Sequence, residues 1–142
     1  MKLFLDTGDV TAIKKAQDSG LLDGVTTNPS HIAKTGRPFK DVIREICSIC
    51  PGPISVEAMS DEATGLIIDA RELVQMAPNV VIKIPMTVEG LKAVPVLEKE
   101  NIRCNVTMVF SSTQAFLAMK AGASFVSIVL SRLDAIANES DI

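Results

Sequence analysis

The sequence predicts an α/β protein built on a parallel sheet, and three observations carry that reading. Short apolar runs begin near Leu3, Gly24, Ile54, Val80, Cys104 and Phe125, separated by 21 to 30 residues. Amphipathic stretches of helical period fill the intervals. The run Val80-Val81-Ile82-Lys83-Ile84-Pro85 is rich in β-branched residues and reads as a strand buried on both faces. No low-complexity linker interrupts the series, so strand and helix alternate through one domain, residues 1–142, joined by right-handed crossovers.

Each element has its local reason. The first run leads through Asp6 to a helix that Asp9 is placed to cap and Gly20 to end. The second opens at Gly24 and closes on Asn28-Pro29, where the proline drives its predecessor to extended geometry. A helix from Phe39 to Cys50 carries the apolar stripe Phe39, Val42, Ile43, Ile46 and Cys50, and Pro51-Gly52-Pro53 stops it. After the Ile54 strand, Ser60 is the expected N-cap of a helix whose stripe is Leu66, Ile67, Ala70, Leu73 and Val74. Thr87 caps the next helix, which Pro95 should kink or split. Ser112 caps the last one, and Gly122 follows it.

Composition narrows the function. The chain has 142 residues, a net charge of −3 and a pI near 5.1, which argues against non-specific binding to nucleic acid or an anionic membrane surface. The start Met1-Lys2-Leu3-Phe4-Leu5-Asp6 meets a carboxylate too early for a signal peptide. No apolar stretch approaches the ~18 residues of a membrane span. A cytoplasmic protein is expected. Three cysteines suit a reducing compartment. Cys47 and Cys50 form a Cys-x-x-Cys, but at the C-terminal end of their helix, where the dipole does not activate a thiol. Only Cys104 and His31 could join them around zinc, at no suggestive spacing, so no metal or cofactor is expected and both cysteines read as packing residues.

Polar residues recur at the end of every strand: Asp6, Asn28, Glu57, Lys83, Asn105 with Thr107, and Ser127. A doubly wound nucleotide-binding sheet would carry a glycine-rich phosphate loop after its first strand, whereas this chain has Asp6-Thr7-Gly8-Asp9. In a (β/α)8 TIM barrel, strand ends converge on one mouth where chemistry is done. The barrel reading is therefore preferred, with about six strand–helix units present. Within it, Lys83 stands out. An ammonium in an apolar strand loses hydration, which favours the neutral nucleophilic amine, while a carboxylate such as Glu57 in the same mouth opposes that effect. The bland alternative is a lysine reaching solvent along its own stem.

Five stretches carry a resemblance: Leu3-Phe4-Leu5-Asp6-Thr7, Gly24-Val25-Thr26-Thr27-Asn28-Pro29-Ser30, Val81-Ile82-Lys83-Ile84-Pro85-Met86-Thr87, Asn105-Val106-Thr107-Met108-Val109-Phe110-Ser111, and Ala118 to Ala123 running into Val126-Ser127. In register along the whole chain, they resemble the small transaldolase family, which includes fructose-6-phosphate aldolases. The resemblance implies class I aldol chemistry without a metal. Lys83 matches the Schiff-base lysine and Asp6 the acid–base carboxylate. Glu57 and Thr107 match the pair that holds a catalytic water. Asn28, Asn105 and Ser127 match groups that grip the dihydroxyacetone hydroxyls, and Arg132 matches a phosphate-binding arginine. Taken alone, Asp6 could be a helix cap, Asn28 a turn residue, and Arg132 a surface charge paired with Asp134.

Departures refine the expectation. The aldolase branch uses a tyrosine on the sixth strand and a glutamine where this chain has Glu57. This chain has no tyrosine. The transaldolase branch is therefore favoured, acting on sugar phosphates of the pentose phosphate pathway, with a fructose-6-phosphate aldolase-like lyase as the alternative. Yet the proline and aromatic usual after the sixth-strand serine are absent, and Val129 stands in the aromatic's place. The family barrel has eight units, so two would be missing here, with unpaired edges on the first and sixth strands and an exposed apolar face. The expectations are a homo-oligomer and weak or no activity for the 142-residue chain alone. A non-catalytic remnant is the competing reading.

Overall fold

A computed structural model describes residues 1–131 and Asp134. Six strands, β1 (Phe4–Asp6), β2 (Gly24–Thr26), β3 (Ile54–Glu57), β4 (Val80–Pro85), β5 (Cys104–Val109) and β6 (Phe125–Ile128), pair in that order as one all-parallel sheet. Helices α1 (Val10–Asp18), α2 (Pro29–Ala33), α3 (Phe39–Ile49), α4 (Ala63–Leu73), α5 (Val88–Lys99) and α6 (Ser112–Lys120) alternate with them. Every apolar run of the sequence became a strand within a residue of its expected start.

Side-chain alternation sorts the sheet into two faces. Ile54 and Val56 of β3, Val80, Ile82 and Ile84 of β4, and Cys104 and Val106 of β5 join one buried cluster with Val42, Ile43 and Ile46 of α3, Leu66 and Ala70 of α4, and Val94 and Leu97 of α5. Each such aliphatic side chain contributes roughly 2 kcal/mol on leaving water, which makes this layer the main source of stability. The residues between them, including Ser55, Val81, Lys83 and Asn105, point to the concave side.

That concave side is curled. Five strand spacings of about 4.8 Å would hold β1 and β6 roughly 24 Å apart in a flat sheet. Instead the Phe4 and Phe125 rings meet edge to face with centroids 6.3 Å apart. Gly24 makes room for this, because a Cβ there would run into the Phe4 ring and the Pro53 carbonyl. The architecture is a curled part-barrel of the (β/α)8 class. The curl buries Val81 completely and brings the Phe4 and Phe125 rings together, while apolar side chains stay exposed on α6 and at the end of β6, where Phe116, Met119, Ile128 and Leu130 are each more than half exposed.

Local expectations fared unevenly. Asp9 and Thr87 cap α1 and α5 through their side chains. Gly20 and Gly122 follow their helices with φ of +73° and +94°, the left-handed turn that glycine adopts without strain. Ser111, rather than Ser112, caps α6 by accepting from the Gln114 N–H. Ser60 caps nothing: α4 starts at Ala63, and Ser60 donates instead to Asp69 Oδ2 at 2.8 Å. Pro95 does not split its helix, and α5 runs unbroken from Val88 to Lys99. The short α2 was not foreseen.

Cys47 and Cys50 close α3 as free thiols packed against its neighbours. Burial, reinforced by the adjacent Cys50, pushes the Cys47 thiol up to about 11. At pH 8 roughly one Cys47 in a thousand is then a thiolate, the reactive form. Iodoacetamide should label native Cys47 very slowly at pH 8 and about tenfold faster for each pH unit gained. Rapid labelling of the folded protein at pH 8, read by mass spectrometry, would make it a reactive thiol after all.

Candidate active site

The C-terminal ends of the strands gather the polar side chains. β4 carries Lys83 to the concave face beside β3, where register sets it opposite Glu57. The Lys83 side chain is 8% exposed and its Nζ lies 3.6 Å from Glu57 Oε2, itself on a side chain 26% exposed. Nζ also donates to the Thr27 carbonyl at 3.2 Å. Thr27 can offer that carbonyl because its own N–H and hydroxyl both bind the Ser55 carbonyl, at 3.0 and 2.8 Å. A lysine reaching bulk solvent is therefore excluded. This amine is enclosed, with one carboxylate and one carbonyl as partners.

A second string of contacts crosses the same face. Ser127 Oγ donates to Asn105 Oδ1 at 2.8 Å, and Asn105 Nδ2 donates to Ser55 Oγ at 3.0 Å. Ser55 and Asn105 are buried, and Ser127 is half-buried. The two hydroxyls fix the amide plane, so Asn105 keeps one N–H and one lone pair for a ligand. Thr107 is buried one pleat further up β5, and its carbonyl accepts from the Met86 N–H at 2.9 Å. The next residue, Met108, has φ +60° and lies where the β5–β6 register slips. Such a bulge re-aims the chain locally, and here it falls at the rim next to Thr107.

The rim on the β1–β2 side is looser. Asp6 is 68% exposed, and the His31 ring stands beside it, with Nδ1 3.8 Å from Asp6 Oδ1. Asn28 caps α2: its Oδ1 accepts from the Ser30 N–H at 2.9 Å and the Ser30 hydroxyl at 2.7 Å. Both residues stand at strand ends as expected, but Asn28 is bonded to Ser30 and Asp6 lies beside His31 rather than Lys83. Arg132 lies outside the described residues. Sequence reasoning missed Ser55 and Thr27. Ser55 was findable, being two residues before Glu57 and thus on the same face of β3.

Fold and site together define a class: a parallel α/β barrel with an enclosed lysine at the end of its fourth strand. The particular family follows from comparison. The family described as Transaldolase/Fructose-6-phosphate aldolase is matched over residues 3–141, and the chain belongs to it. It is 59% identical over 139 residues to a probable transaldolase of Aquifex aeolicus, covering 98% of this chain and 64% of that protein. A probable transaldolase of Caldicellulosiruptor saccharolyticus is 60% identical over 136 residues, covering 96% and 63%. The chain thus spans a little under two thirds of the length of these relatives. Among solved structures, 2,3-dimethylmalate lyase of the PEP mutase/isocitrate lyase superfamily is similar in fold, with a TM-score of 0.63 at 14% identity over 88% of this chain and 57% of that one. Among the described residues, no helix is long and apolar enough to cross a membrane.

Proposed function

We propose that this chain carries the reacting half of a transaldolase, which moves a dihydroxyacetone unit between sugar phosphates through an imine on Lys83. The observation that supports it most is the enclosure of the Lys83 amine against Glu57. An amine removed from water and facing a carboxylate can lose and regain protons locally, as imine formation requires. In this reading the amine attacks the ketose carbonyl, a carbinolamine forms, and water leaves to give an iminium. Asp6 takes the C4 hydroxyl proton, the C3–C4 bond breaks, and its electron pair enters the iminium to give an enamine. An acceptor aldose then recaptures the three-carbon unit, and hydrolysis frees Lys83.

Glu57 and Thr107 hold the water that serves the imine steps. Asn28, Asn105 and Ser127 bind the donor hydroxyls, Asn105 with the free N–H and lone pair that Ser55 and Ser127 leave it. Arg132 is assigned the substrate phosphate on resemblance alone. Glu57 and the absence of tyrosine favour transfer over simple cleavage. Pentose phosphate metabolism and a cytoplasmic, homo-oligomeric enzyme belong to the same proposal.

Borohydride reduction in the presence of dihydroxyacetone, followed by peptide mass spectrometry, tests it. The expected result is one reduced adduct, on Lys83. A folded protein that yields no adduct would point to a remnant without catalysis.

A further inference from the structure

One histidine, His31, has no place in the mechanism above, yet its surroundings are unusual. It sits on α2 at the wall of a cavity of about 550 Å³ that Asp6, Asp9, Lys34 and Arg37 also line. Its Nδ1 is buried and has no hydrogen-bond partner. Buried polar atoms in native proteins are nearly always satisfied, so an orphan calls for a reason. The nearest charged oxygen is Asp6 Oδ1, at 3.8 Å.

A bare Nδ1 lone pair facing a carboxylate oxygen would be repelled. A proton on Nδ1 turns the same geometry into an attraction. The Asp6 side chain is exposed, and a shift of roughly 1 Å brings the pair to ordinary hydrogen-bond length. The other charged groups on the cavity do not compete for Nδ1. Asp9 accepts from the Thr11 and Ala12 N–H groups, Arg37 is paired with Glu45 at 2.7 Å, and Lys34 is a cation.

We propose that His31 is a positioning residue for Asp6. Its Nδ1–H holds one carboxylate oxygen and so turns the other toward the hydroxyl whose proton Asp6 removes. The proposal rests on the role given to Asp6 above.

The test separates the two ideas. The sequence has one histidine, so nitrogen-15 NMR of the chain gives a single imidazole pair. The neutral ring should carry its proton on Nδ1 in the wild type and shift toward the Nε2 form in Asp6→Ala. The same tautomer in both proteins would overturn the proposal, whatever the turnover. In transfer of the dihydroxyacetone unit from fructose 6-phosphate to an acceptor aldose phosphate, His31→Leu should lower kcat roughly tenfold with KM little changed. His31→Asn, whose amide can place an N–H near the Nδ1 position, should recover most of that loss. Equal kcat in all three proteins would also overturn it. Borohydride trapping at Lys83 should be unchanged in both variants, because imine formation does not use Asp6. A wild type that fails to trap speaks against the transaldolase reading and leaves the tautomer result to decide the role of His31.

Discussion

Lys83→Met is expected to abolish the borohydride adduct and to lower any sugar-phosphate turnover by on the order of 10³-fold or more, the scale seen when a covalent nucleophile is removed. Methionine nearly matches the lysine stem in volume, so the apolar part of β4 keeps its packing. What disappears is the only amine enclosed beside Glu57 among the described residues. Glu57 then loses its cation, but it is partly open to water, so the stability cost should be about 1–3 kcal/mol rather than the larger penalty of a sealed charge. Lys83→Arg is the sharper control. A guanidinium keeps the positive charge but does not form an imine, so this variant should also fail to trap. Turnover at the wild-type rate in either variant would remove Lys83 from the chemistry.

Gly52→Ala should be the most damaging small substitution in the base of the sheet. A Cβ at Gly52 would collide with the backbone carbonyl of Asp23, and no side-chain rotation relieves a clash with backbone. Asp23 cannot yield cheaply. Its N–H donates to the Leu3 carbonyl at 2.9 Å, and its carboxylate accepts from the Leu3 N–H at 2.7 Å. Gly52 is itself held: Asn79 Nδ2 reaches the Gly52, Cys50 and Cys47 carbonyls at 3.0, 2.9 and 3.3 Å. Relief therefore means shifting the end of α3, the entry to β3 or the start of β1. Such overpacking costs about 3 kcal/mol. For a chain of this length that is a fall in Tm of about 10 °C. A variant melting within a degree or two of wild type would show that this junction is far softer than its hydrogen bonds imply.

The strands were legible because burial on both faces writes itself into composition, as in Val80–Pro85, and because each was spaced by a helix of clear period. The caps were less legible. Ser60 and Ser112 are good capping residues by type, but a nearby Asp69 claimed the first, and Ser111 stood one position earlier for the second. Pro95 does not split its helix, because its missing N–H removes one helical bond while the packing of Ala93, Val94 and Leu97 against the sheet holds the helix together. In the site, the neighbourhood of Lys83 and Glu57 followed from two strand ends in adjacent positions. The partners that complete it did not. The Thr27 carbonyl is a backbone atom without a sequence signature, and the approach of His31 to Asp6 depends on α2, which is too short to show a period.

The meeting of Phe4 with Phe125 also bears on how the chain reaches its native state. The apolar runs that form neighbouring strands start 21 to 30 residues apart, but these two rings close a loop of 121 (125 − 4). Closing that loop in an otherwise open chain would cost about 1.5 kcal/mol more entropy than closing one of the shorter ones. The order of assembly follows from that difference. Ladders are expected to zip unit by unit through nearby contacts, each bringing the ends of the chain closer, with the aromatic pair fastening last, when most of the long loop has already been spent in short steps.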